Sequence, residues 1–167
     1  MFRFTTRVVL TLAAILTCAT GLADDNAELN KIYRGFIAAT VDVAKVGAFY
    51  GDEVIHVGSA DSPLLMGKEA FMATNIQPLA DLVNSGQLRI EGKFHIVRRI
   101  ISGDMANDVG YLYLRTRKPN GDHSAHVQKF SWVFVREDGT WKVVTDFDAT
   151  LAPLSALDKL RAQIIIE

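Results

Sequence analysis

Between Ala27 and Tyr50, apolar side chains fall at Leu29, Ile32, Tyr33, Phe36, Ile37, Val41, Ala44 and Ala48. Steps of three and four residues place them on one face of an amphipathic helix. Gly51-Asp52 ends that pattern, and Glu53 to Gly58, with its valine and isoleucine, predicts a short strand. Gly67-Lys68-Glu69-Ala70 opens a second helical stretch that runs to Asn84, kinked or broken at Pro78 and closed by Gly86.

From Leu88 onward the pattern turns extended. Leu88–Ile101, Val109–Lys118, His123–Arg136 and Thr140–Thr150 are rich in β-branched and aromatic residues and predict four strands. Asn120-Gly121 and Asp138-Gly139 separate the last three, and such dipeptides favour tight hairpins because both central residues take positive φ. Leu154 to Ile165 predicts a terminal helix or a strand extension. Helices followed by an antiparallel meander make an α+β fold, with helices packed on one face of a curved sheet.

Two-residue loops at both turns would pair Arg115 with His126, Tyr113 with Gln128, Tyr111 with Phe130 and Val109 with Trp132. They would also pair Trp132 with Thr145, Phe130 with Phe147 and Phe134 with Val143. Opposed residues share a face, so this register gathers nearly all the large aromatics on the side the helices cover. That face grades from Phe134, Trp132 and Phe130 to a polar end of Gln128, Tyr113, His126 and Arg115, as the wall of a small-molecule pocket does. Lys129, Ser131, Asp146 and Asp148 fall on the opposite face as a solvent or dimer surface. A one-residue bulge at Asp138-Gly139 would reverse this and bring both aspartates inside.

The first residues read as an address. Arg3 and Arg7 precede an uncharged run from Val8 to Leu22, and Gly21-Leu22-Ala23 offers a small-residue exit before Asp24. This is the pattern of a secretory signal peptide over 1–23, and the run is short for a membrane span. Cys18 lies inside the segment expected to be removed, so the mature chain would have neither disulfides nor thiol chemistry and its core would carry the stability. The expected location is secreted or periplasmic. No repeat or linker interrupts residues 24–167, which predicts one domain.

Composition adds exclusions. With 18 basic and 19 acidic side chains and a pI near 6.4, the chain lacks the basic excess of a nucleic-acid-binding protein. It has no phosphate-binding glycine loop and no Gly-x-Ser-x-Gly elbow, so no cofactor is expected. Among His56, His95, His123 and His126 the one short spacing, 123–126, sends the two rings to opposite faces of a strand, and no metal site is expected.

Three segments stand in a distinctive order: Phe49-Tyr50-Gly51-Asp52-Glu53-Val54, Met66-Gly67-Lys68-Glu69-Ala70-Phe71, and Phe134 to Val144 with its Asp138-Gly139-Thr140-Trp141 turn. Over residues 27–150 this resembles the NTF2-like superfamily, in particular its small SnoaL-like and ketosteroid-isomerase-like members. The resemblance implies a cone-shaped curved antiparallel sheet wrapped around N-terminal helices, a deep pocket, and pairing of two copies through the sheet's outer face. The superfamily includes isomerases, dehydratases, cyclases, epoxide hydrolases and non-catalytic domains, so fold alone assigns no reaction. Many relatives carry inward histidines after the tryptophan where this chain has Thr145 and Phe147, and no Asp-Arg-Asp set like that of the epoxide hydrolases is present. Ketosteroid isomerases use an inward carboxylate base with a tyrosine donor; Asp146 or Asp148 could take that part under the bulged register.

The catalytic candidates are His126 as acid or base, Arg115 as an anion clamp and Tyr113 as an oxyanion donor. Tyr50, His56, Tyr111, Gln128, Trp132 and Thr145 are the candidate ligand contacts. Two functions are compatible with them. One is a cofactor-independent lyase or isomerase acting on a small, partly apolar molecule, with an anionic group for Arg115 to hold. The other is a non-catalytic ligand-binding or dimerising domain. The expected partners are a small molecule and a second copy, with no lasting membrane insertion once the leader is cut.

Overall fold

The computed structural model describes residues 24–39, 42–58 and 64–167, so the leader expected over 1–23 lies outside the described residues. Helix α1 spans 24–38 and buries Leu29, Ile32 and Tyr33, the stripe its periodicity predicts. The helix expected to continue to Tyr50 is instead followed by a separate α2, Val43–Gly47, capped by Asp42, whose side chain accepts from the Lys45 N–H at 3.1 Å. A short carboxylate satisfies free N–H groups better at a helix start than inside one. Tyr50 therefore does not close a helix; it opens strand β1, Tyr50–Val57.

After β2, Leu64–Met66, helix α3 (Lys68–Phe71) passes through one π-helical turn, Met72–Ile76, into α4, Gln77–Asn84. The wide turn lies just before Pro78, whose ring lacks an N–H and crowds the preceding turn. Strands β3 (Arg89–Ser102), β4 (Met105–Arg117), β5 (His123–Glu137) and β6 (Thr140–Ala152) form the meander. A 3₁₀ turn at Leu154–Lys159 leads to β7, Ile164–Ile166, which pairs with β3. The sheet runs β2-β1-β6-β5-β4-β3-β7, curved and unclosed, and only β1 and β6 pair in parallel.

The concave face holds the core. Tyr33 of α1 stacks on Trp132 of β5, with ring centroids 4.9 Å apart, and Phe94, Phe130 and Phe134 surround the pair. Phe71 of α3 lies against Tyr50 and His56 of β1.

Two registers depart from the expected ones, and each moves candidate residues to the other face. Lys118 N–H donates to the Asp122 carbonyl at 2.8 Å, so the β4–β5 loop has three residues, Pro119-Asn120-Gly121. A two-residue loop would have closed on Pro119, which has no N–H to donate. Arg115 thus faces Ala125, and Leu114 faces His126. Leu112, Leu114 and Thr116 take the concave side, while Tyr111, Tyr113 and Arg115 take the convex side. At the next turn Asp138 (φ 49°) and Gly139 (φ 75°) form the two-residue loop as counted, and Phe134 faces Val143. Val144 is then an extra residue in β6: Thr145 faces Val133, Asp146 faces Trp132 and Asp148 faces Phe130. The bulge is in mid-strand rather than at the turn, and it sends Thr145 and Phe147 outward and both aspartates inward.

Candidate functional site

The concave face encloses a cavity of about 360 Å³ between the sheet, α1 and the α3–α4 segment. Its walls are mostly apolar, among them Phe36, Phe71, Leu112, Leu114, Phe130 and Trp132. Its polar side chains are His56, His126, Gln128, Asp146 and Asp148 on β1, β5 and β6, with Thr116 on β4 and Asn75 in the π-helical turn. No lysine or arginine is among the described lining residues.

Asp146 is 4% exposed, and each of its oxygens has a neutral donor. Tyr50 Oη–H donates to Oδ2 at 2.9 Å and Trp132 Nε1–H donates to Oδ1 at 2.8 Å. These contacts exist because β1 and β5 flank β6, with His56 and Trp132 both in register with Asp146. His56 is 5% exposed, and its Nδ1 lies 3.8 Å from Asp146 Oδ1. That is an ion-pair distance but too long for a hydrogen bond, so Nδ1 is buried without a hydrogen-bond partner among the described residues.

Burial is the main cause that lifts the Asp148 carboxyl to about 7, and the Asp146 charge adds to it, against smaller opposing effects of His56 and a Gln128 hydrogen bond. For His56, burial disfavours the charged ring, but the Asp146 and Asp148 carboxylates outweigh it and raise its pKa above the usual value. Burial, followed by Asp146, pushes the Tyr50 hydroxyl well above its usual range, so it remains a donor. The result is a carboxyl that exchanges its proton near neutrality beside an imidazole drawn toward its charged form, in a water-poor apolar cavity. That combination can remove a proton from carbon or oxygen and return it.

His56, Asp146 and Asp148 could also hold a metal, since each offers one ligand atom and all three atoms lie within 4.8 Å of one another. A zinc ion, with bonds near 2.0–2.2 Å, would require the His56–Asp146 contact to tighten from its 3.8 Å.

Of the residues singled out in the sequence, His56, His126, Gln128 and Trp132 line the cavity, and Tyr50 lies behind it on Asp146. Tyr111, Tyr113, Arg115 and Thr145 do not enter it, because of the three-residue loop and the Val144 bulge. Arg115 instead approaches Glu91 at 3.7 Å on the convex side, so it is no anion clamp. Asp146 and Asp148, assigned outward by the uninterrupted register, are the groups that organise the site. The sequence of β6 contained no signal for them, since Trp141, Val143, Phe147, Ala149 and Leu151 keep one parity on both sides of Val144.

The SnoaL-like domain model matches residues 27–146. Among curated proteins none matches the chain. Among solved structures, an NTF2-like protein with a cystatin-like fold from Novosphingobium aromaticivorans is 19% identical, with a TM-score of 0.67 over 87% of this chain and 94% of that one. A proposed dehydratase of the NTF2-like family from Streptomyces avermitilis is 16% identical, with a TM-score of 0.63 over 78% of this chain and 99% of that one. A protein from Catenulispora acidiphila, solved in complex with S-DNPA, is 13% identical, with a TM-score of 0.62 over 76% and 93%. At these identities the likeness shows the fold.

Proposed function

Since the chain belongs to the SnoaL-like domain family, we propose that it is a cofactor-independent lyase or isomerase acting by proton transfer on a small, apolar, uncharged molecule. The observation that carries this reading is the inward Asp148, its pKa raised to about 7 first by burial and then by Asp146, at the polar end of an apolar cavity. Isomerisation of an unsaturated ketone and loss of water from a β-hydroxy ketone both begin with removal of a proton next to a carbonyl. Asp148 takes that proton. His56, held near Asp146, donates to the oxygen on which charge develops. Asp146, bonded to Tyr50 and Trp132, positions the imidazole. Among the described lining residues no lysine or arginine offers an anionic group a permanent counter-charge, and His56 is already turned toward Asp146, which favours a neutral substrate. The Streptomyces neighbour's description as a dehydratase is in keeping with this reading, and the Catenulispora neighbour's complex with S-DNPA is in keeping with a bound small molecule.

The test is loss of the α-hydrogen NMR signal from a panel of neutral ketones in D₂O. The protein should accelerate exchange of those that bind, and Asp148→Asn should lower the acceleration by about 10²–10⁴-fold. Binding without any accelerated exchange would leave a ligand-binding domain instead.

Export with cleavage after Ala23, and pairing of two copies through the convex face, belong to the same proposal. Ile100, Met105, Val109 and Phe147 are exposed on that face. A single-chain mass for residues 24–167 in sedimentation equilibrium would remove the pairing.

A further inference from the structure

Two glycines sit in mid-strand on the concave face, and they are there for different reasons. A Cβ at Gly110 would lie 2.3 Å from the His95 carbonyl oxygen, so the backbones themselves exclude any other residue. A Cβ at Gly92 would meet only side chains at ordinary contact distance, Leu114 Cδ2 at 3.4 Å, Ile37 Cγ1 at 3.9 Å and Leu112 Cδ1 at 3.9 Å. Its φ is not in the left-handed region either. Glycine in a strand interior costs backbone entropy and contributes no packing, so neither the chain nor its neighbours account for Gly92. What it does is line the cavity, together with Ile37, Leu112 and Leu114.

We infer that Gly92 is a specificity-determining position: it keeps open an apolar subsite for the far end of a neutral, elongated ligand whose polar atom sits by Asp148 and His56. Gly92 is on β3 and Asp148 on β6, three strand spacings apart, and the row in register with Asp148 (Phe130, Gly110, Ile96) meets β3 four residues beyond Gly92. The two ends are therefore offset by about 14 Å across the sheet and about 13 Å along it. The wall between them is built from Leu112, Leu114 and Phe130 with His126 and Gln128 beside them, so the ligand's body is mostly apolar, with room for a polar atom facing those two side chains. The end at Gly92 has no polar side chain within contact of the would-be Cβ, and the ligand there is hydrocarbon or aromatic. The inference rests on the proposed proton-transfer site for the position of the ligand's head, but not for the existence of the tail subsite.

The experiment is binding of methyl ketones from 2-butanone to 2-pentadecanone to wild type and Gly92→Val, followed by tryptophan fluorescence and calorimetry. Wild-type affinity should rise about fourfold per methylene up to the chain length that reaches Gly92. In Gly92→Val the rise should stop at a shorter chain, with at least a tenfold loss for the longest ketones and less than twofold for 2-butanone. Gly92→Ala, whose added Cβ meets its nearest neighbours at ordinary contact distance, should be at least as heat-stable as wild type. A Gly92→Val variant that still unfolds cooperatively with the wild-type circular dichroism spectrum separates a filled subsite from a damaged fold. The inference is overturned if the two proteins show the same chain-length dependence, if the variant loses short and long ketones alike, or if wild type binds none of them. Deuterium exchange on the bound ketones reports on the proton-transfer reading separately: length-dependent binding without exchange overturns that reading and leaves the subsite standing.

Discussion

Two carboxylates are buried beneath this sheet, and each accepts a hydrogen bond from a tyrosine at 2.9 Å, Asp108 from Tyr33 and Asp146 from Tyr50. Their other partners differ. Asp108 is clasped by the Arg99 guanidinium through Nε at 2.8 Å and Nη2 at 2.7 Å, and Arg99 continues to Asn26 and Asn30 of α1. Its charge is cancelled by a cation that ties helix to sheet. Asp146 has a neutral indole instead of a guanidinium, a histidine that stops short of a hydrogen bond, and a second carboxylate, Asp148, among the groups around it. The first site is closed and complete, whereas the second lacks a full positive charge and opens onto a cavity. A buried carboxylate is thus a fastening where its charge is matched and a reagent where it is left in deficit.

The largest expected effect lies on the closed side. Arg99→Met leaves Asp108, which has no exposed surface, as an unpaired buried charge, and should cost about 3–5 kcal/mol of stability by denaturant unfolding. Adding Asp108→Asn should recover part of that loss. If Arg99→Met cost less than about 1 kcal/mol, the two sites would not differ as described.

The opposite sign is expected on the open side. The Asp148 pKa, about 7 in the fold, is above its ordinary value of 3.8. Between those values the folded state holds a proton that the unfolded chain has released, so this group makes stability fall as pH rises from about 4 to 7. His56, also raised, adds a decline above its ordinary 6.5 in the same direction. Asp148→Asn removes the larger dependence: the variant should exceed wild type by roughly 2–4 kcal/mol at pH 8 and converge on it near pH 4. Removing a catalytic carboxylate would then stabilise the protein while abolishing proton exchange. Equal stability at both pH values would show that Asp148 carries no deficit.

Much of this contrast was hidden from the sequence although the fold was not. Helical periodicity located α1 and the α3–α4 stretch, and the β-rich runs with their two glycine turns located the meander to within a few residues. The site depends on parity, which periodicity does not protect: one residue more or less in a loop or strand exchanges the faces completely. At Pro119 the sequence did contain the answer, since a residue without an N–H could not close the hairpin. At Val144 it contained no warning, since Trp141, Val143, Phe147, Ala149 and Leu151 keep one parity through the bulge. The pairing of His56 with Asp146 had no local signal, because it arises from the parallel contact of β1 with β6 across 90 residues of chain.

The finest division between the two sites lies in the tyrosines. Tyr33→Phe and Tyr50→Phe each remove one hydroxyl from a buried carboxylate and keep the ring that packs beside Trp132. Each should lose about 1.5–3 kcal/mol as a hydrogen bond to a charged group, with Tyr33→Phe at the lower end because Arg99 still holds Asp108. Stability alone would hardly tell them apart, but the pH profile of ketone exchange should. Without the Tyr50 hydroxyl the Asp146 charge is less well satisfied, so it acts more strongly on its neighbours. The midpoint of the profile, set by Asp148, should then move upward. In Tyr33→Phe that midpoint should move less, because Tyr33 donates to Asp108 and the Asp146 charge reaches it only as the smallest contribution to its shift. An equal shift in both variants would mean that the two carboxylate systems are coupled through Trp132 rather than separated by it.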